Sequence, residues 1–447
     1  MSKDVSELGI GSLLHQALND LGIEKATRIQ EEVIPFVLKE KEDVVALSKT
    51  GTGKTVAFGL PLLQLVEVQN EQVQTLILSP TRELSQQIYN QLISFAKYLP
   101  EVSIALLTGG TPLKTQIERL SQPTHIIVAT PGRLLDLVEK KAVDVQHLNH
   151  LVLDEADEMF QALKEDLLLV FKHLPKKRRT LLFSATMPNE LKNVVDNYMS
   201  KTTMHIGAEQ EITAHEDIEH HYVVVEPIEK LDVLLHFLST QEGKRGIIFC
   251  KTKAAVNKLA KNLAIRKISS GALHGSLTQG IRDRIMEQFR EGFIGILVAT
   301  DLVARGIDVK ELGFVVNYHL PDTYEAYVHR SGRTGRAGSK GISMTILQKE
   351  EVDEIADFEK ELRIRFKEIP KAKEEDIEEN NTLVWANKIF KTKPNRQIPE
   401  EVKEQVKTIF HHLTKEELIE KVLSNYWANT NKKTQLPSVP KKTKKRS

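Results

Sequence analysis

The sequence has little of what stabilises small secreted proteins or anchors membrane proteins. Only one of its 447 residues is a cysteine, Cys250, so no intramolecular disulfide can form. A single thiol fits a reducing cytosol, and the apolar run before Cys250 favours a buried strand position. No run of about 18 apolar residues occurs, and the N-terminus lacks the apolar core of a signal peptide. We therefore expect a cytoplasmic protein without a membrane partner.

The chain also lacks an excess of charge of either sign. Its 62 Lys and Arg residues nearly cancel its 61 Asp and Glu residues, so any basic surface for nucleic acid must be local. Its length predicts about two or three domains. Apolar residues make up 40% and charged residues 28% of the chain, which is ordinary for a globular protein.

Short apolar runs alternate with helix-like segments, such as Glu83–Lys97, along most of the chain. Runs this short and rich in Val, Ile and Leu are typical of strands buried on both faces of a parallel sheet, so the alternation indicates an α/β fold. The runs of the first half are Asp43–Leu47, Thr75–Leu78, Ile104–Leu107, His125–Val128, Leu151–Leu153 and Thr180–Phe183. Those of the second half are Tyr222–Val225, Gly246–Phe249, Gly295–Val298, Phe314–Asn317 and Ile342–Leu347.

The pattern is interrupted in the middle of the chain and changes near its end. Residues 207–218 are polar and broken, which indicates a linker between two α/β domains of similar size. Glu400–Trp427 has apolar residues near one helical face, so a helix is predicted there. The basic tail Lys432–Ser447 contains no Asp or Glu and is expected to be disordered. It either touches RNA electrostatically or only keeps the chain in solution, and the sequence leaves both readings open.

A phosphate-binding loop is predicted directly after the first apolar run. Its residues can turn backbone N–H groups towards phosphates, while the Lys side chain reaches the β- and γ-phosphate oxygens and the last hydroxyl ligates Mg²⁺. A helix-like stretch follows, which is the setting that such a loop needs. The loop comprises Ser48, Lys49, Thr50, Gly51, Thr52, Gly53, Lys54 and Thr55.

A second acidic site follows the run Leu151–Leu153. Asp154 and Glu155 come immediately after it, at the carboxyl end of a predicted strand, where open α/β sheets bind their ligands. Asp154 is predicted to hold Mg²⁺, and Glu155 to orient and deprotonate an attacking water. If they stood alone, such residues would normally mark a helix N-terminus, where negative charge is favourable. The phosphate loop upstream favours the catalytic interpretation.

With these motifs, Asp154-Glu155-Ala156-Asp157 above all, the sequence resembles the DEAD-box family of helicases. The resemblance extends over most of Gly22–Gly338. It implies two tandem RecA-like parallel-sheet domains, and Gln30 is similar to the glutamine with which the family reads adenine. The implied segments are an ATP-binding domain at 1–206 with the adenine-reading motif around 4–32, a flexible linker at 207–218, a second domain at 219–368, a mainly helical extension at 369–431 and a disordered tail at 432–447.

The resemblance also assigns roles to short Thr, Gly and Arg motifs. Ser184 and Thr186 resemble the pair that couples the nucleotide site to strand separation, and Asp308 lies in the motif that touches the ribose. Arg333 and Arg336 resemble arginine fingers, which stabilise charge on the transferred phosphate. The residues that resemble RNA-backbone contacts are Arg82, Gly109, Gly110, Thr130, Pro131, Gly132, Arg133, Arg282 and Thr300.

The implied function is an ATP- and Mg²⁺-dependent RNA helicase that unwinds short duplexes or remodels ribonucleoproteins. Its expected partners are RNA, contacted through the backbone, and a ribonucleoprotein or protein bound by the C-terminal extension. An ATP-gated RNA clamp with little unwinding, a DNA translocase and a scaffold that has lost activity are the alternatives. The sequence does not choose among ribosome assembly, RNA decay and cold adaptation as the cellular role.

Overall fold

The computed structural model describes residues 3–48, 52–207, 217–301, 312–335, 339–371 and 382–434, except 384, 387, 388, 391, 394 and 396. The chain forms two compact units, each with most of its contacts within itself. The first comprises Met1–Lys230 with Gly243–Ile369, and the second comprises Leu231–Glu242 with Pro370–Ser447. The first unit contains both β-sheets.

The first sheet has seven parallel strands in the order β3-β4-β2-β5-β6-β1-β7. Its inner strands are almost wholly buried because helices cover both faces, and this explains their continuous apolar sequences. The strands are β1 Val44–Leu47, β2 Thr75–Leu78, β3 Ile104–Leu107, β4 Ile126–Ala129, β5 His150–Leu153, β6 Arg179–Ser184 and β7 Met204–Ile206.

A helix connects each strand to the next one along the chain, as in a doubly wound sheet. Local chemistry sets their starts: Thr81 Oγ1 accepts a hydrogen bond from Leu84 N, and Pro131 occupies the first helical position after Thr130. The helices are Ser12–Asp20, Arg28–Lys39, Lys54–Gln64, Arg82–Phe95, Leu113–Leu120, Pro131–Glu139, Ala156–His173 and Asn189–Tyr198, with short 3-10 turns at Val5–Leu8 and Ala96–Tyr98.

The second sheet repeats the design, with seven parallel strands in the order β10-β11-β9-β12-β13-β8-β14. Its strands are β8 Ile218–Val224, β9 Arg245–Phe249, β10 Ser270–Leu273, β11 Ile296–Ala299, β12 Leu312–Asn317, β13 Gly341–Leu347 and β14 Phe366–Glu368. The helices of this half are Lys230–Thr240, Lys253–Ile265, Gln279–Arg290, Tyr324–Ser331 and Val352–Leu362, with a 3-10 turn at Lys349–Glu351.

The predicted α/β class with two parallel-sheet domains is confirmed. Each apolar run overlaps a strand, whereas β7, β10 and β14 were not predicted. All three lie at sheet edges, where one side has no partner strand and the burial that produces an apolar run is incomplete. Strand β8 begins at Ile218, within the predicted linker, and residues 208–216 of that linker lie outside the described part.

The second unit is helical where it is described after residue 381. The helix predicted at Glu400–Trp427 is present as two helices, Glu400–Phe410 and Lys415–Thr434. Trp385 stacks on Tyr426 with 4.3 Å between ring centroids. Residues 435–447 of the predicted tail lie outside the described part. Among the described helices, none combines the length and the apolar character that crossing a bilayer demands.

Candidate active site

The carboxyl ends of β1, β5 and β6 lie side by side, because these strands are neighbours in the first sheet. The phosphate loop follows β1, the acidic tetrad follows β5, and Ser184 ends β6. A backbone hydrogen bond from Ser48 N to Ser184 O, 2.9 Å long, ties the start of the loop to the end of β6. Three motifs that are far apart in the sequence therefore meet at one sheet edge.

Lys54 lies where the phosphate loop leads into the following helix. It begins the helix Lys54–Gln64, is 7% exposed, and its Nζ lies 4.0 Å from Asp154 Oδ1 and 3.4 Å from Ser48 O. The hydroxyls of Ser48 and Thr52 contact each other across the loop, and Thr55 is half-buried in the first helical turn. Thr50 and Gly51, also predicted to bind phosphate, lie outside the described residues.

Gln30 braces this loop from the helix Arg28–Lys39. Its Oε1 accepts a hydrogen bond from Thr27 N (2.9 Å), and its Nε2 donates one to Gly53 O (3.1 Å). Thr27 Oγ1 in turn donates to Thr52 O at 2.8 Å. Gly53 has a φ of +87°, and a Cβ there would approach Gln30 Nε2 to 2.2 Å, so glycine is required on both counts. The amide of Gln30 thus already has both kinds of hydrogen-bond partner within the protein.

The first two acidic residues are buried together behind Lys54. Burial raises the pKa of Asp154, and the positive charge of Lys54 opposes that increase. Burial also raises the pKa of Glu155 to about 7, with a further contribution from the nearby Glu158 carboxylate. Glu155 Oε2 is buried without a hydrogen-bond partner, which leaves it available to a ligand or water. A carboxyl group that titrates near neutral pH in this position suits proton transfer.

Ser184 and Thr186 bind the last residue of the tetrad. Asp157 Oδ2 accepts hydrogen bonds from Thr186 N (3.0 Å) and Thr186 Oγ1 (2.8 Å), and Asp157 N donates to Ser184 Oγ at 3.2 Å. All three residues are buried. The pair predicted to couple the two activities is therefore bonded directly to the acidic motif.

Side chains of the second sheet's half reach the same acidic motif. His329 Nδ1 lies 2.6 Å from Glu158 Oε1, and its Nε2 lies 3.7 Å from Asp157 Oδ2. Burial opposes protonation of His329, but the carboxylates outweigh it and raise its pKa. Arg333 is 5% exposed and lies four residues after His329, just past the end of the helix Tyr324–Ser331. Its positive charge lowers the pKa of Glu155 and so opposes the effect of burial. Arg336 lies outside the described residues.

The predicted RNA residues Arg82 and Arg282 also meet across the two halves. Arg282 Nη2 forms a largely buried ion pair with Glu83 Oε1 at 2.6 Å, while its Nε is buried without a partner. Arg82 Nη1 donates to Gln279 Oε1 at 3.2 Å. A Cβ on Gly109 would lie 2.4 Å from Arg82 Nη2.

The close approach of Arg82 and Gln279 explains why positions 109 and 110 are glycines. Gly110 has a φ of +97°, and a Cβ on it would come within 2.9 Å of Gln279 Cγ. Burial lowers the pKa of Arg82, and the like charges of Arg282 and Arg133 lower it further. Three guanidinium groups are therefore concentrated where an anion would relieve their repulsion.

Arg133 belongs to the motif Thr130-Pro131-Gly132-Arg133 at the carboxyl end of β4. Its Nη1 donates to Thr111 O and to Gln116 Oε1, both at 3.0 Å, which fixes it beside the glycine loop. Thr130 N donates to Leu107 O at 3.2 Å and anchors the start of the motif. A Cβ on Gly132 would lie 3.1 Å from Asp166 Oδ2.

In the second sheet, Thr300 follows β11 and its N–H donates to Leu273 O at 3.3 Å. The next residue, Asp301, holds Arg330 through two hydrogen bonds of 2.5 and 2.7 Å. Arg330 also donates to Asn317 Oδ1 at 3.1 Å. Asp308, predicted to contact the ribose, lies outside the described residues.

Several of these side chains were not predicted from the sequence. Glu83, Gln279 and Glu158 stand beside predicted residues, so proximity in the sequence offered a signal. Their partners lie in the other half of the molecule, and no local pattern identifies such a pairing.

Comparison with known proteins decides the family. The sequence profile described as DEAD/DEAH box helicase matches residues 27–194, and that described as helicase conserved C-terminal domain matches 229–338. The ATP-dependent RNA helicase CshA of Limosilactobacillus reuteri is 41% identical over 363 residues, which is 81% of this chain and 72% of that protein. This chain belongs to the DEAD-box helicase family. It is accordingly an ATP-dependent RNA helicase, an RNA-dependent ATPase.

Solved structures of DEAD-box proteins have the same fold. Saccharomyces cerevisiae Dbp5 bound to RNA and ADP BeF3 is similar with a TM-score of 0.78 and 29% identity, over 86% of this chain and 99% of that one. Mss116p bound to ssRNA and AMP-PNP gives a TM-score of 0.78 and 26% identity, over 87% and 86% of the two chains. A third profile, "Probable ATP-dependent RNA helicase, helical domain", matches residues 377–433 of this DEAD-box chain.

Proposed function

We propose that this helicase closes its two sheet domains on ATP and a single RNA strand, and that closure separates short duplexes locally. The observation that carries the proposal is the division of both residue sets between the two halves. Lys54 and Glu155 lie in the first half and Arg333 in the second, while Arg82 and Arg282 divide the RNA set in the same way. ATP and RNA therefore each favour the closed form, so binding of one increases the affinity for the other by the same factor.

Lys54 and Thr55 are proposed to bind the triphosphate, with Thr55 and Asp154 holding Mg²⁺. The donor set fits this ion, because Mg²⁺ takes few protein ligands and keeps waters and phosphate oxygens for the rest. Bound there, Mg²⁺ would neutralise charge that develops on the phosphates.

Glu155 is proposed as the general base. It is buried, its pKa is raised to about 7, and Oε2 has no partner. These features support proton abstraction from a water held in front of it. Its left-handed backbone, with φ of +52°, sets it at the turn between β5 and the helix Ala156–His173.

Arg333 is proposed to stabilise negative charge on the transferred phosphate, and Arg336 to assist it. A guanidinium stays charged when buried and can contact two oxygens at once. The Glu158–His329 contact supports this role, because it holds the end of the helix Tyr324–Ser331 against the acidic motif. Opening the halves would remove both residues from the phosphate, so hydrolysis would depend on closure.

The proposed RNA contacts involve backbone phosphates and no bases. Arg82, Arg133 and Arg282 provide charge, and the glycines at 109 and 110 let Arg82 and Gln279 pack closely against that loop. Contacts of this kind position a strand without reading its sequence.

A strand-displacement assay with a short RNA duplex tests unwinding against the alternative of a clamp. We expect ATP-dependent displacement by the wild type and none by Glu155→Gln, which should still retain the labelled strand when ATP is present. Retention of RNA by both proteins, with displacement by neither, would favour the clamp. Absence of RNA-stimulated ATP hydrolysis in the wild type would contradict the proposal as a whole.

A further inference from the structure

The second sheet domain contains a long tract without any acidic residue. From Gly243 to Arg282 there is no Asp or Glu, and the basic residues are Lys244, Arg245, Lys251, Lys253, Lys258, Lys261, Arg266, Lys267 and Arg282. The chain as a whole has a net charge of only +1. Positive charge is thus concentrated in this tract and compensated elsewhere in the molecule.

The helix Lys253–Ile265 displays much of that charge to solvent. Its buried side is formed by Val256, Leu259 and Leu263, while Lys253, Lys258 and Lys261 are all exposed. At about 100° of rotation per residue, these three lysines lie within an arc of roughly 140°. None of the three has a hydrogen-bond or ion-pair partner within the described part of the chain. We call this surface, Lys253 with Lys258 and Lys261, the lysine face.

The lysine face works against the stability of its own helix. Lys253 stands in the first turn, where the helix dipole disfavours a cation, and that turn contains no acidic residue. Lys258 and Lys261 are three positions apart, close enough to repel each other. A surface selected only for stability or solubility would include carboxylates here, as the helix Val352–Leu362 does. The helix therefore carries uncompensated positive charge that an anionic ligand would neutralise.

A hydrogen bond joins the helix that carries the lysine face to the segment that precedes Arg282. Asn257, on the same exposed side of the helix, accepts a hydrogen bond from His274 Nε2 through its Oδ1 at 3.1 Å. His274 follows β10 and leads into the helix Gln279–Arg290, which carries Arg282. The helix Lys253–Ile265 is about 20 Å long, so its exposed side can follow several phosphates at the 3.4 Å spacing of one strand.

We propose that the lysine face binds the phosphate backbone of RNA that extends beyond the clamp, as an additional contact surface of the second domain. Lysines on an exposed helix offer point charges without a fixed geometry, so the contact is independent of sequence. The surface would hold the duplex or tail that flanks the strand gripped between the two sheets. This inference goes beyond the helicase activity itself, since the clamp contains its own RNA residues.

The experiment compares Lys258→Ala/Lys261→Ala with the wild type and with Lys172→Ala/Lys176→Ala. Both control lysines are exposed: Lys172 lies in the last turn of the helix Ala156–His173, and Lys176 lies between that helix and the amino end of β6, whereas the nucleotide site is at the carboxyl ends of the strands. Each protein is titrated, with a non-hydrolysable ATP analogue, against a long duplex with a single-stranded overhang and against an oligoribonucleotide that fills only the clamp. The titrations are repeated over a range of salt concentrations.

We expect the double variant to lose about two units of the salt slope and on the order of tenfold in affinity for the long RNA. Its affinity for the short oligoribonucleotide should change much less, and the control variant should match the wild type with both. The melting temperature should not fall, since charge repulsion is relieved. Equal affinities and slopes for the long RNA in all three proteins would overturn the proposal. Failure of the wild type to bind even the short RNA would instead contradict the proposed clamp.

Discussion

Glu155 combines a positive φ, a buried carboxyl group and a pKa raised to about 7. A strained backbone and a group with an unfavourable charged state both cost folding free energy. Such features are concentrated at functional sites, where the surrounding structure compensates for their cost. At the residue scale, chemistry and stability therefore oppose each other at this position.

Arg333→Ala is expected to lower the turnover number of RNA-stimulated ATP hydrolysis by about a thousandfold or more, because an arginine finger is worth at least that much in related phosphoryl transfers. The measurement is steady-state phosphate release at saturating RNA. Arg365→Ala removes an exposed arginine from the same half and should retain wild-type turnover. A turnover number within a few-fold of wild type in Arg333→Ala would refute the assignment.

Gln30 and Gln64 offer a matched pair of glutamine braces. Gln64 Oε1 accepts from Gly11 N and its Nε2 donates to Gly9 O, whereas Gln30 binds Thr27 and Gly53. Each Gln→Ala change should cost about 1 kcal/mol of unfolding free energy. Only Gln30→Ala should raise the KM for ATP and for GTP, because only that brace supports the phosphate loop. An unchanged KM for both nucleotides would contradict the role of Gln30 as a brace.

Motifs defined by neighbouring residues could be identified from the sequence, whereas contacts between residues far apart in the sequence could not. The loop at Lys54 and the acidic pair at Asp154 were recognisable because spacing and strand context suffice for them. Glu158 and His329 form a contact of 2.6 Å, yet 171 positions of the sequence separate them (329 − 158). Only the packing of one half against the other determines that contact.

At the scale of elements, the burial of a strand decided whether it could be predicted: the edge strand β3 is almost wholly buried and was predicted, whereas the less buried edge strands β7, β10 and β14 were not. Central strands such as β2 are buried on both faces and read as continuous apolar runs. The edge strand β14, Phe-Lys-Glu, is exposed at two of its three residues and has no such signature. The preference of a residue for a strand depends on such packing, so a strand with little buried surface has little signal in its composition.

His220 in β8 should make the second sheet sensitive to acid. Burial lowers the pKa of His220 from 6.5 to about 4, and Nδ1 lies 2.6 Å from the Tyr327 hydroxyl. The folded-state pKa is below the unfolded value, so the stabilisation is present above pH 6.5 and is lost as the pH falls towards 4. The loss by pH 5 amounts to about 2 kcal/mol.

Denaturant unfolding at several pH values measures this effect. The variant His220→Phe should show a weaker dependence on pH than the wild type over that interval. His411→Phe changes an exposed histidine and should follow the wild-type curve. Parallel curves for His220→Phe and the wild type would show that His220 does not titrate in this interval.

At the scale of the whole molecule, the contacts between the halves define a closed arrangement of the two sheets. The pairs Arg282–Glu83 and His329–Glu158 each bury a charge that would be hydrated after opening. Buried pairs of this kind contribute little net stability when formed, but losing one partner is costly. They therefore act mainly by specifying one relative orientation of the halves.

Solution scattering should detect this closure. Addition of a non-hydrolysable ATP analogue and single-stranded RNA is expected to reduce the radius of gyration of the wild type. Glu83→Gln should require roughly tenfold more RNA for the same change, because Arg282 loses its carboxylate partner. Glu287→Gln, an exposed position on the helix that carries Arg282, is the control. Identical titrations for Glu83→Gln and the wild type would contradict the importance of the ion pair.

The hydrogen bonds of Gln30 also bear on which nucleoside triphosphate the enzyme prefers. A pocket rejects a wrong base strongly when that base strands a buried donor or acceptor. Oε1 and Nε2 of Gln30 each use one of their two hydrogen-bonding sites on Thr27 N and Gly53 O, so each keeps a second site for a base. Adenine offers a donor at N6 and an acceptor at N7, whereas guanine offers acceptors at both positions, so guanine would leave the Gln30 oxygen without a donor. Because the same amide binds Gly53, recognition of the base would be linked directly to the position of the phosphate loop.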